Sequence, residues 1–182
     1  MDAVFLDRDG TLISHVYYLH RPEDVDVLPG VRESLFHLKK TGYQLFLFTN
    51  QSGVGRGLFT MDAVEAVHQR MLELIGLGDD LFTEICVATE APGQPTIYRK
   101  PSPRFVLEIM AKYGISKENA VMVGDNPSDW EAGLNAGIQS IAVRSPVQTE
   151  HSEEIRSSLK VPIYDGLVDW VQESFPRDAQ SK

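Results

Sequence analysis

Short runs of apolar residues alternate along this chain with longer amphipathic segments. Runs that are almost wholly apolar are typical of strands buried in a parallel sheet, and they occur at residues 4–6, 43–48, 83–89, 120–123 and 138–143. Each run is followed by glycine or by polar residues, which mark the turns where such strands end. The pattern therefore predicts about five buried strands.

The segments between the strands repeat apolar residues every three or four positions, as one face of a helix does. Thr60 stands where a helix would be capped, and Ser102 with Pro103 is a typical helix start. The apolar positions of these predicted helices are Val31, Leu35 and Leu38; Val64, Val67, Met71 and Leu74; Phe105, Val106, Ile109 and Met110; and Trp130 with Leu134. Two weaker helices are predicted around residues 153–159 and 167–175.

Strands that alternate with helices predict an α/β fold, a doubly wound parallel sheet flanked by helices. The 182 residues suggest a single domain over residues 1–175, followed by a polar tail at 176–182. The loops after the first and third strands hold only about fifteen and nine residues. Since a folded domain rarely has fewer than about 50 residues, neither loop has room for a cap domain. We therefore expect an open site that is bounded by loops alone.

Composition and charge argue against several classes of protein. The net charge is −9 and no run of lysine or arginine occurs, which argues against a nucleic-acid or membrane surface. The single cysteine, Cys86, excludes an intramolecular disulfide and favours a reducing, cytoplasmic compartment. The chain enters a strand at once and has no apolar run near the roughly 20 residues of a membrane span. We therefore expect neither a signal peptide nor a membrane anchor.

Two aspartates, Asp7 and Asp9, follow the first strand with one residue between them. In an open α/β sheet, reactive groups gather beyond the carboxyl ends of the strands. Two carboxylates this close raise each other's pKa unless a cation holds both ionised. Taken alone, the pair is equally consistent with an acidic turn after a buried strand, so the other strand ends decide its interpretation.

Three further strands end in polar side chains of complementary chemistry. These are Thr49, Asn50, Gln51 and Ser52 at the second strand, Arg99 and Lys100 after the third, and Asp125, Asn126 and Asp129 after the fourth. Because the carboxyl ends of parallel strands meet at one edge of the sheet, we expect them to surround Asp7 and Asp9. Acids from two strands can share a Mg²⁺ ion, whose other ligands are waters and a substrate phosphate.

This set of groups is suited to phosphoryl transfer, in which positioning and charge neutralisation supply most of the catalysis. We expect Asp7 to attack phosphorus and become an aspartyl-phosphate. Asp9 would protonate the leaving oxygen and then take a proton from the hydrolytic water. Asp125 would hold Mg²⁺, while Thr49 and Lys100 would bind the phosphate oxygens.

Two parts of this site have more than one interpretation. Asp129 either orients the water shell of the metal or Lys100, or supplies negative charge at the start of a helix. The loop at residues 13–30, which is rich in histidine and tyrosine, either lines the substrate pocket or folds over the edge of the sheet.

The motifs resemble those of the haloacid dehalogenase superfamily of phosphatases, in the family's order and over nearly the whole chain. They are Asp7-Arg8-Asp9-Gly10-Thr11, Thr49 at a strand end, Lys100, and Gly124-Asp125 with Asp129. The run Thr-Asn-Gln-Ser-Gly-Val-Gly-Arg-Gly from Thr49 and the run Arg99-Lys100-Pro101 are similar to those of a capless branch of histidinol phosphatases and heptose-bisphosphate phosphatases. The resemblance implies a Rossmann-like core without a cap domain.

The resemblance also implies roles for individual residues. It implies Mg²⁺ as the cofactor and Arg99 as a substrate-recognition residue. The metal-binding candidates are Asp7, Asp125, Asn126 and the backbone carbonyl of Asp9, and the further substrate-binding candidates are Asn50, Gln51, Ser52 and Arg56. We therefore expect an Mg²⁺-dependent phosphatase whose partner is a small phosphorylated metabolite, a sugar phosphate or bisphosphate.

One feature of that branch is missing. Its members usually hold a structural zinc with cysteine and histidine residues in the loop before the Arg-Lys-Pro run, but residues 90–98 contain neither type. A tetrahedral zinc site needs about four protein ligands, so we expect no zinc.

Three alternatives to a sugar phosphatase remain open. The first is a histidinol-phosphate phosphatase. The second is a polynucleotide 3′-phosphatase, which residues 87–101 also resemble, although the acidic net charge weighs against a DNA substrate. The third is a phospho-receiver domain, which shares clustered acids on a doubly wound sheet. A receiver carries its acceptor aspartate on a middle strand and has no need of an acid such as Asp9, so this alternative is the weakest.

Overall fold

A parallel sheet of six strands forms the centre of the molecule in a computed structural model, which describes residues 2–175. The strands are β1 (Ala3–Leu6), β2 (Gln44–Asn50), β3 (Glu84–Ala88), β4 (Ala120–Gly124), β5 (Gln139–Val143) and β6 (Ile163–Tyr164). Their order across the sheet is β3-β2-β1-β4-β5-β6. The prediction of a doubly wound parallel sheet is confirmed. The predicted tail at 176–182 lies outside the described residues, and the division into one domain and a tail stays a prediction.

The sixth strand corrects the expected number of five. β6 has only two residues, Ile163 and Tyr164, and both are half-buried. It pairs with β5 at the edge of the sheet, through Ala142 opposite Ile163 and Val143 opposite Tyr164. Such a short edge strand lacks the apolar run by which the inner strands are recognised in the sequence.

Seven α-helices lie between and after the strands within residues 2–175. They are α1 (Val31–Lys40), α2 (Ser52–Gly55), α3 (Met61–Ile75), α4 (Arg104–Tyr113), α5 (Pro127–Ala136), α6 (Glu150–Leu159) and α7 (Leu167–Ser174). The side chain of Thr60 caps α3 by accepting a hydrogen bond from the backbone N–H of Ala63, as predicted. α2 was not predicted, because its glycines at positions 53 and 55 indicate a loop.

The sheet separates two apolar layers, and the side chains of β1 alternate between them. Val4 and Leu6 pack in the layer that contains α1, α3 and α7, whereas Ala3 and Phe5 pack in the layer that contains α4 and α5. β1 lies between β2 and β4, so all four of its residues are fully buried. The central strand therefore carries Asp7 into a rigid environment.

The buried face of α3 contains the predicted Val64, Val67 and Met71, and also Leu72, but not the predicted Leu74. Leu74 is 41% exposed, and Ile75 is buried instead. Ile75 lies four positions after Met71 and so continues the stripe that faces the sheet, whereas Leu74 points away from it. His68 lies on the buried face of the same helix.

The structure also bears on the expectation about membranes. Within residues 2–175, every helix is too short or too polar to cross a bilayer.

Replacing Phe5 with alanine should destabilise the fold severely. Its ring is fully buried, stacks on Phe46 at 5.1 Å and meets Phe105 edge-on at 6.0 Å. Loss of a buried phenylalanine leaves a cavity and lowers the free energy of unfolding by about 3–5 kcal/mol. The matched control is Phe36→Ala in α1, whose side chain is 56% exposed and which should change stability by no more than about 0.5 kcal/mol. Urea denaturation compares the two, and equal losses would contradict the assignment of the core.

Candidate active site

An open cavity of about 250 Å³ lies beyond the carboxyl ends of the central strands. It brings together eleven of the predicted site residues: Asp7, Asp9, Thr49, Asn50, Gln51, Ser52, Arg99, Lys100, Asp125, Asn126 and Asp129. The twelfth, Arg56, is exposed at the end of α2 and does not line the cavity. α2 turns the chain away from the strand end before Arg56 is reached, so its predicted contact with the substrate stays a prediction.

Lys100 lies at the centre of the cluster, with its side chain 1% exposed. Its ammonium group donates to Asp7 Oδ1 at 2.6 Å and to the backbone carbonyl of Phe48 at 2.7 Å, and it pairs with Asp129 Oδ1 at 2.5 Å. The side-chain amide of Asn50 fixes the backbone of Lys100 from both sides. Its oxygen accepts from the Lys100 N–H at 2.9 Å, and its nitrogen donates to the Lys100 carbonyl at 3.2 Å. Asn50 therefore positions the lysine.

Burial governs the ionisation of this cluster. It raises the pKa of Asp7 well above the usual range, and although Lys100 opposes this, the neighbouring carboxylates add to it. Burial also raises the pKa of Asp125 to about 7, with a further increase from Asp129. Burial disfavours the charge of Lys100, but Asp129 and Asp7 outweigh it and raise the pKa of the ammonium group. The lysine therefore stays protonated. Its single positive charge does not balance the negative charge of the surrounding carboxylates.

The donor set fits a divalent cation. Asp7, Asp125 and Asp129 each place a carboxylate oxygen within 4.8 Å of the others, and all three are buried. Asp7 and Asp129 share the ammonium of Lys100, and Asp125 adds a third carboxylate beside them, so a cation with two charges would balance the cluster. Hard carboxylate oxygens are the ligands that Mg²⁺ prefers. Gly10 permits this arrangement, because it has φ of +86° and a Cβ there would lie 2.3 Å from an oxygen of Asp125.

Asp129 carries out two of the tasks proposed for it. One oxygen pairs with Lys100, and the other accepts a hydrogen bond from the backbone N–H of Asn126 at 2.9 Å. Asn126 in turn caps α5, since its side-chain oxygen accepts from the backbone N–H of Ser128 at 3.1 Å. The two residues form a reciprocal capping box. Asn126 borders the cavity, but its side-chain oxygen is engaged in the cap.

Asp9 is separated from Lys100 and has cationic and amide partners of its own. The guanidinium of Arg8 contacts both carboxylate oxygens at 2.9–3.1 Å. The amide nitrogen of Gln51 donates to Asp9 at 2.9 Å and to the hydroxyl oxygen of Thr49 at 2.8 Å. Gln51 therefore connects the end of β2 to the acid that follows β1.

Two loops form the outer wall of the cavity. His15, Tyr17, Tyr18 and Leu19 from the loop after β1 line it, so this loop forms part of the pocket. His20 stacks on Phe59 with ring centroids 5.7 Å apart and planes 8° from parallel. Phe59 approaches so closely to Gly53 that a Cβ there would lie 2.1 Å from its ring, which explains the glycine at that position.

The second loop carries Arg99 and is organised by Glu90. One carboxylate oxygen of Glu90 accepts from the backbone N–H groups of Ile97, Tyr98 and Arg99 at 2.9, 2.6 and 3.2 Å. The Arg99 guanidinium donates back to the Glu90 carbonyl at 3.0 Å. Arg99 is thereby held at the rim of the cavity as a cation of fixed position.

Several supporting residues were missed by reasoning from sequence. Gln148 donates to the carbonyls of Asp125 and Val143, both at 2.7 Å, and so joins the ends of β4 and β5. Trp130 is fully buried and donates to the Gly124 carbonyl at 2.9 Å. Neither residue lies in a motif. Arg8 could have been found, since it stands between the two acids of the first motif.

Comparison with known proteins identifies the family of the chain. Residues 7–143 match the model of the haloacid dehalogenase-like hydrolases, and this segment covers most of the chain. The chain belongs to this family. The family predicted from the four motifs is thus confirmed.

Individual relatives narrow the class within the haloacid dehalogenase-like hydrolases. The chain is 37% identical over 154 residues to the D-glycero-β-D-manno-heptose-1,7-bisphosphate 7-phosphatase of Helicobacter pylori, across 82% of this chain and 88% of that one. It is also 37% identical over 158 residues to the enzyme of the same name from Photorhabdus laumondii, across 81% and 84% of the two chains. The prediction of a phosphatase of this family is confirmed.

A solved structure supports the fold. The D,D-heptose 1,7-bisphosphate phosphatase from B. bronchiseptica, complexed with magnesium and phosphate, superposes with a TM-score of 0.83 over 96% of this chain and 98% of that one. At 24% identity, this likeness confirms the capless core.

Removing the charge of Lys100 should unfold or strongly destabilise the protein. Lys100→Met leaves buried carboxylates without their cation, and breaking such a pair typically costs about 3–5 kcal/mol. The matched control is Lys112→Met, because Lys112 also pairs with a carboxylate at 2.5 Å but its side chain is 62% exposed. Chemical denaturation should find a large loss for the first variant and almost none for the second. A loss of similar size in both variants would contradict the central role of Lys100.

Lowering the pH should destabilise the protein through His68. Burial lowers the pKa of its imidazole to about 3, with a further decrease from the charge of Arg8, whereas the unfolded value is 6.5. Between these values the unfolded chain binds the proton and the folded protein does not, so stability falls as the pH falls. We expect His68→Gln to reduce the slope of unfolding free energy against pH in this window by up to about 1.4 kcal/mol per pH unit.

The measurement is urea denaturation at several pH values between 4 and 7, a range set by the roughly 6.5 reference pKa of histidine. The control is His15→Gln, at an exposed position in the loop after β1, which should keep the wild-type slope. An unchanged slope in the His68 variant would mean that the imidazole is not held neutral by the fold.

Proposed function

We propose that this chain is an Mg²⁺-dependent phosphatase that removes the 7-phosphate from a D-glycero-D-manno-heptose 1,7-bisphosphate. The observation that carries the proposal is the contact of Lys100 with Asp7 at the end of the central strand, with Asp125 beside it. This arrangement orients a carboxylate as a nucleophile and leaves room for a cation next to it. The names of the relatives support the choice of substrate.

The residues that would hold Mg²⁺ are Asp7 and Asp125, together with the backbone carbonyl of Asp9 that the family resemblance implies. When bound, Mg²⁺ neutralises the phosphate oxygens and the acids that face them. Asp129 is already engaged by Lys100 and by Asn126, so it supports the cluster from behind.

The reaction proceeds in two steps on Asp7. In the first, a carboxylate oxygen of Asp7 forms a bond to phosphorus, the bond from phosphorus to the sugar oxygen breaks, and Asp9 gives its proton to that oxygen. In the second, Asp9 takes a proton from water, the water oxygen bonds to phosphorus, and the bond to Asp7 breaks. Lys100 and Thr49 stabilise the charge on the transferring group.

The open cavity and its two loops suit a small phosphorylated sugar. Arg99 stands at the rim as a planar cation that can bind a second phosphate or a sugar hydroxyl. The tyrosines of the loop after β1 supply apolar and hydroxyl surface on the opposite side. A bisphosphate therefore has one cationic partner at each end, Lys100 inside and Arg99 at the rim.

Two further expectations accompany the proposal. Zinc is not required, because Cys86 lies within β3 and burial raises the pKa of its thiol to about 12, which disfavours the thiolate that zinc binds. The cytoplasmic location inferred from the single cysteine stays a prediction.

The decisive assay measures phosphate release from heptose 1,7-bisphosphate, histidinol phosphate and a 3′-phosphorylated oligonucleotide, with Mg²⁺ or with EDTA. We expect the heptose ester to be the best substrate, EDTA to abolish turnover, and phosphorus NMR to locate the loss at the 7-position. Preference for the oligonucleotide or for histidinol phosphate would replace the proposed substrate, and release without added metal would refute the Mg²⁺ requirement.

Asp7→Asn should lower turnover by at least about 10⁴-fold, because the amide cannot act as the nucleophile. The matched control is Asp79→Asn, at an exposed position between α3 and β3, which should retain full activity. Quenched samples of the wild type should contain phosphate covalently bound to protein, and the Asp7 variant should contain none. Appreciable turnover by this variant would refute the covalent mechanism.

A further inference from the structure

Arg8 is a buried ion directly beside the proposed acid, and the mechanism above assigns it no task. Its side chain is 0% exposed. Its Nε and Nη2 atoms donate to Asp9 in a planar fork, with distances of 3.1, 3.1 and 2.9 Å. A fork of this kind fixes the plane of a carboxylate as well as its position.

Gln51 holds the same carboxylate from a second direction. Its amide nitrogen donates to Asp9 Oδ2 at 2.9 Å, and Thr49 accepts from that amide as well. The side chain of Asp9 nevertheless stays 18% exposed, on the side of the cavity. Asp9 is therefore a reactive group with a restricted orientation and one open side.

His68 lies on the buried face of α3 and is 7% exposed. Arg8 Nη1 and His68 Nε2 are both buried, and neither has a hydrogen-bond partner among the described residues. Burial and the charge of Arg8 lower the pKa of the imidazole to about 3, so the ring is neutral and has one nitrogen that accepts. An unpaired donor and an unpaired acceptor are complementary, and leaving both unpaired in the interior would be costly.

We propose that Arg8 and His68 are positioning residues that hold Asp9 in the orientation needed for its proton transfers. In this arrangement Arg8 Nη1 donates to a buried water, and that water donates to neutral His68. Its Nε and Nη2 then remain on Asp9. The inference rests on the proposed function, because it takes Asp9 as the group that protonates the leaving oxygen.

The chemistry of the leaving group separates this role from a structural one. When the bond from phosphorus to an alkyl oxygen breaks, the oxygen must receive a proton from Asp9. An aryl oxygen such as that of p-nitrophenol leaves as a stable anion and needs little help. Disturbing Asp9 alone should therefore slow the hydrolysis of the alkyl ester and leave that of the aryl ester almost unchanged. Damage to the whole site should slow the hydrolysis of both esters.

The test measures kcat/KM for heptose 1,7-bisphosphate and for p-nitrophenyl phosphate, because kcat/KM includes the step in which the leaving group departs. We expect Arg8→Met to lower kcat/KM for the alkyl ester by about 10²–10⁴-fold, the size typical of general acid catalysis. It should lower kcat/KM for the aryl ester by less than about 10-fold. Arg8→Lys should fall between the wild type and Arg8→Met, because lysine keeps the charge and loses the fork. The matched control is Arg104→Met, which breaks an exposed arginine–carboxylate pair at 2.7 Å and should change neither value.

His68 is tested by a pair of variants. His68→Gln keeps an acceptor for Arg8 and should retain most of the alkyl activity. His68→Leu removes this acceptor and should lower kcat/KM for the alkyl ester by about tenfold, without a matching loss for the aryl ester. If Arg8→Met fails to fold, as judged by circular dichroism, Arg8→Lys and His68→Leu carry the test.

A double-mutant cycle decides whether Arg8 acts through Asp9. In an Asp9→Asn background, Arg8→Met should cause no further loss on the alkyl ester, since the group that it positions is already gone. Additive losses would overturn the proposal, and so would equal losses on the two esters in the single variants. If the wild type hydrolyses neither ester, the proposed function fails first. If it hydrolyses both and Arg8→Met loses nothing, only the role of Arg8 and His68 fails.

Discussion

The structure depends above all on one buried ammonium group. Lys100 pairs with Asp7, which lies 93 positions earlier in the chain, and with Asp129 at the start of α5. It also donates to the carbonyl of Phe48 near the end of β2. None of these charged groups would be stable in the interior without the others. The same contacts that hold three strand ends together therefore define the site at which we propose that phosphate binds.

The acids of the site are distinguished by their partners. Asp7 and Asp129 share Lys100, Asp9 has Arg8, and Asp125 has no lysine or arginine within the described ion pairs. Burial, together with the charge of Asp129, raises the pKa of Asp125. Four aspartates that are alike in sequence thus have different surroundings, and these differences are the basis on which we propose one as nucleophile, one as proton carrier, one as metal ligand and one as structural support.

The sequence sufficed for those features that depend on local patterns. The inner strands are continuous apolar runs, and a parallel sheet necessarily gathers the polar residues that follow them, so the site of Asp7, Lys100 and Asp125 could be predicted. The strand β6 could not, because two half-buried residues carry no pattern. The contact by which the amide of Asn50 fixes Lys100 could not be predicted either, and the predicted contact of Asn50 with the substrate stays a prediction. An amide has the same composition whether it faces a ligand or a backbone, and only the tertiary structure decides.

Each of the two loops around the cavity is held in part by hydrogen bonds within the loop. Glu90 gathers the backbone of residues 97–99, and His20 bonds to the carbonyl of Tyr18 at 2.8 Å. The loops join the strand ends at Lys100 and at Ile13, which bonds to the backbone of Arg8 and Gly10, so changes confined to the residues between these junctions should leave the strand ends in place. Selectivity and reactivity are thus encoded in separable parts of the chain. Substitutions in the outer residues of the two loops should therefore change which phosphate ester is bound, without altering the residues proposed for catalysis.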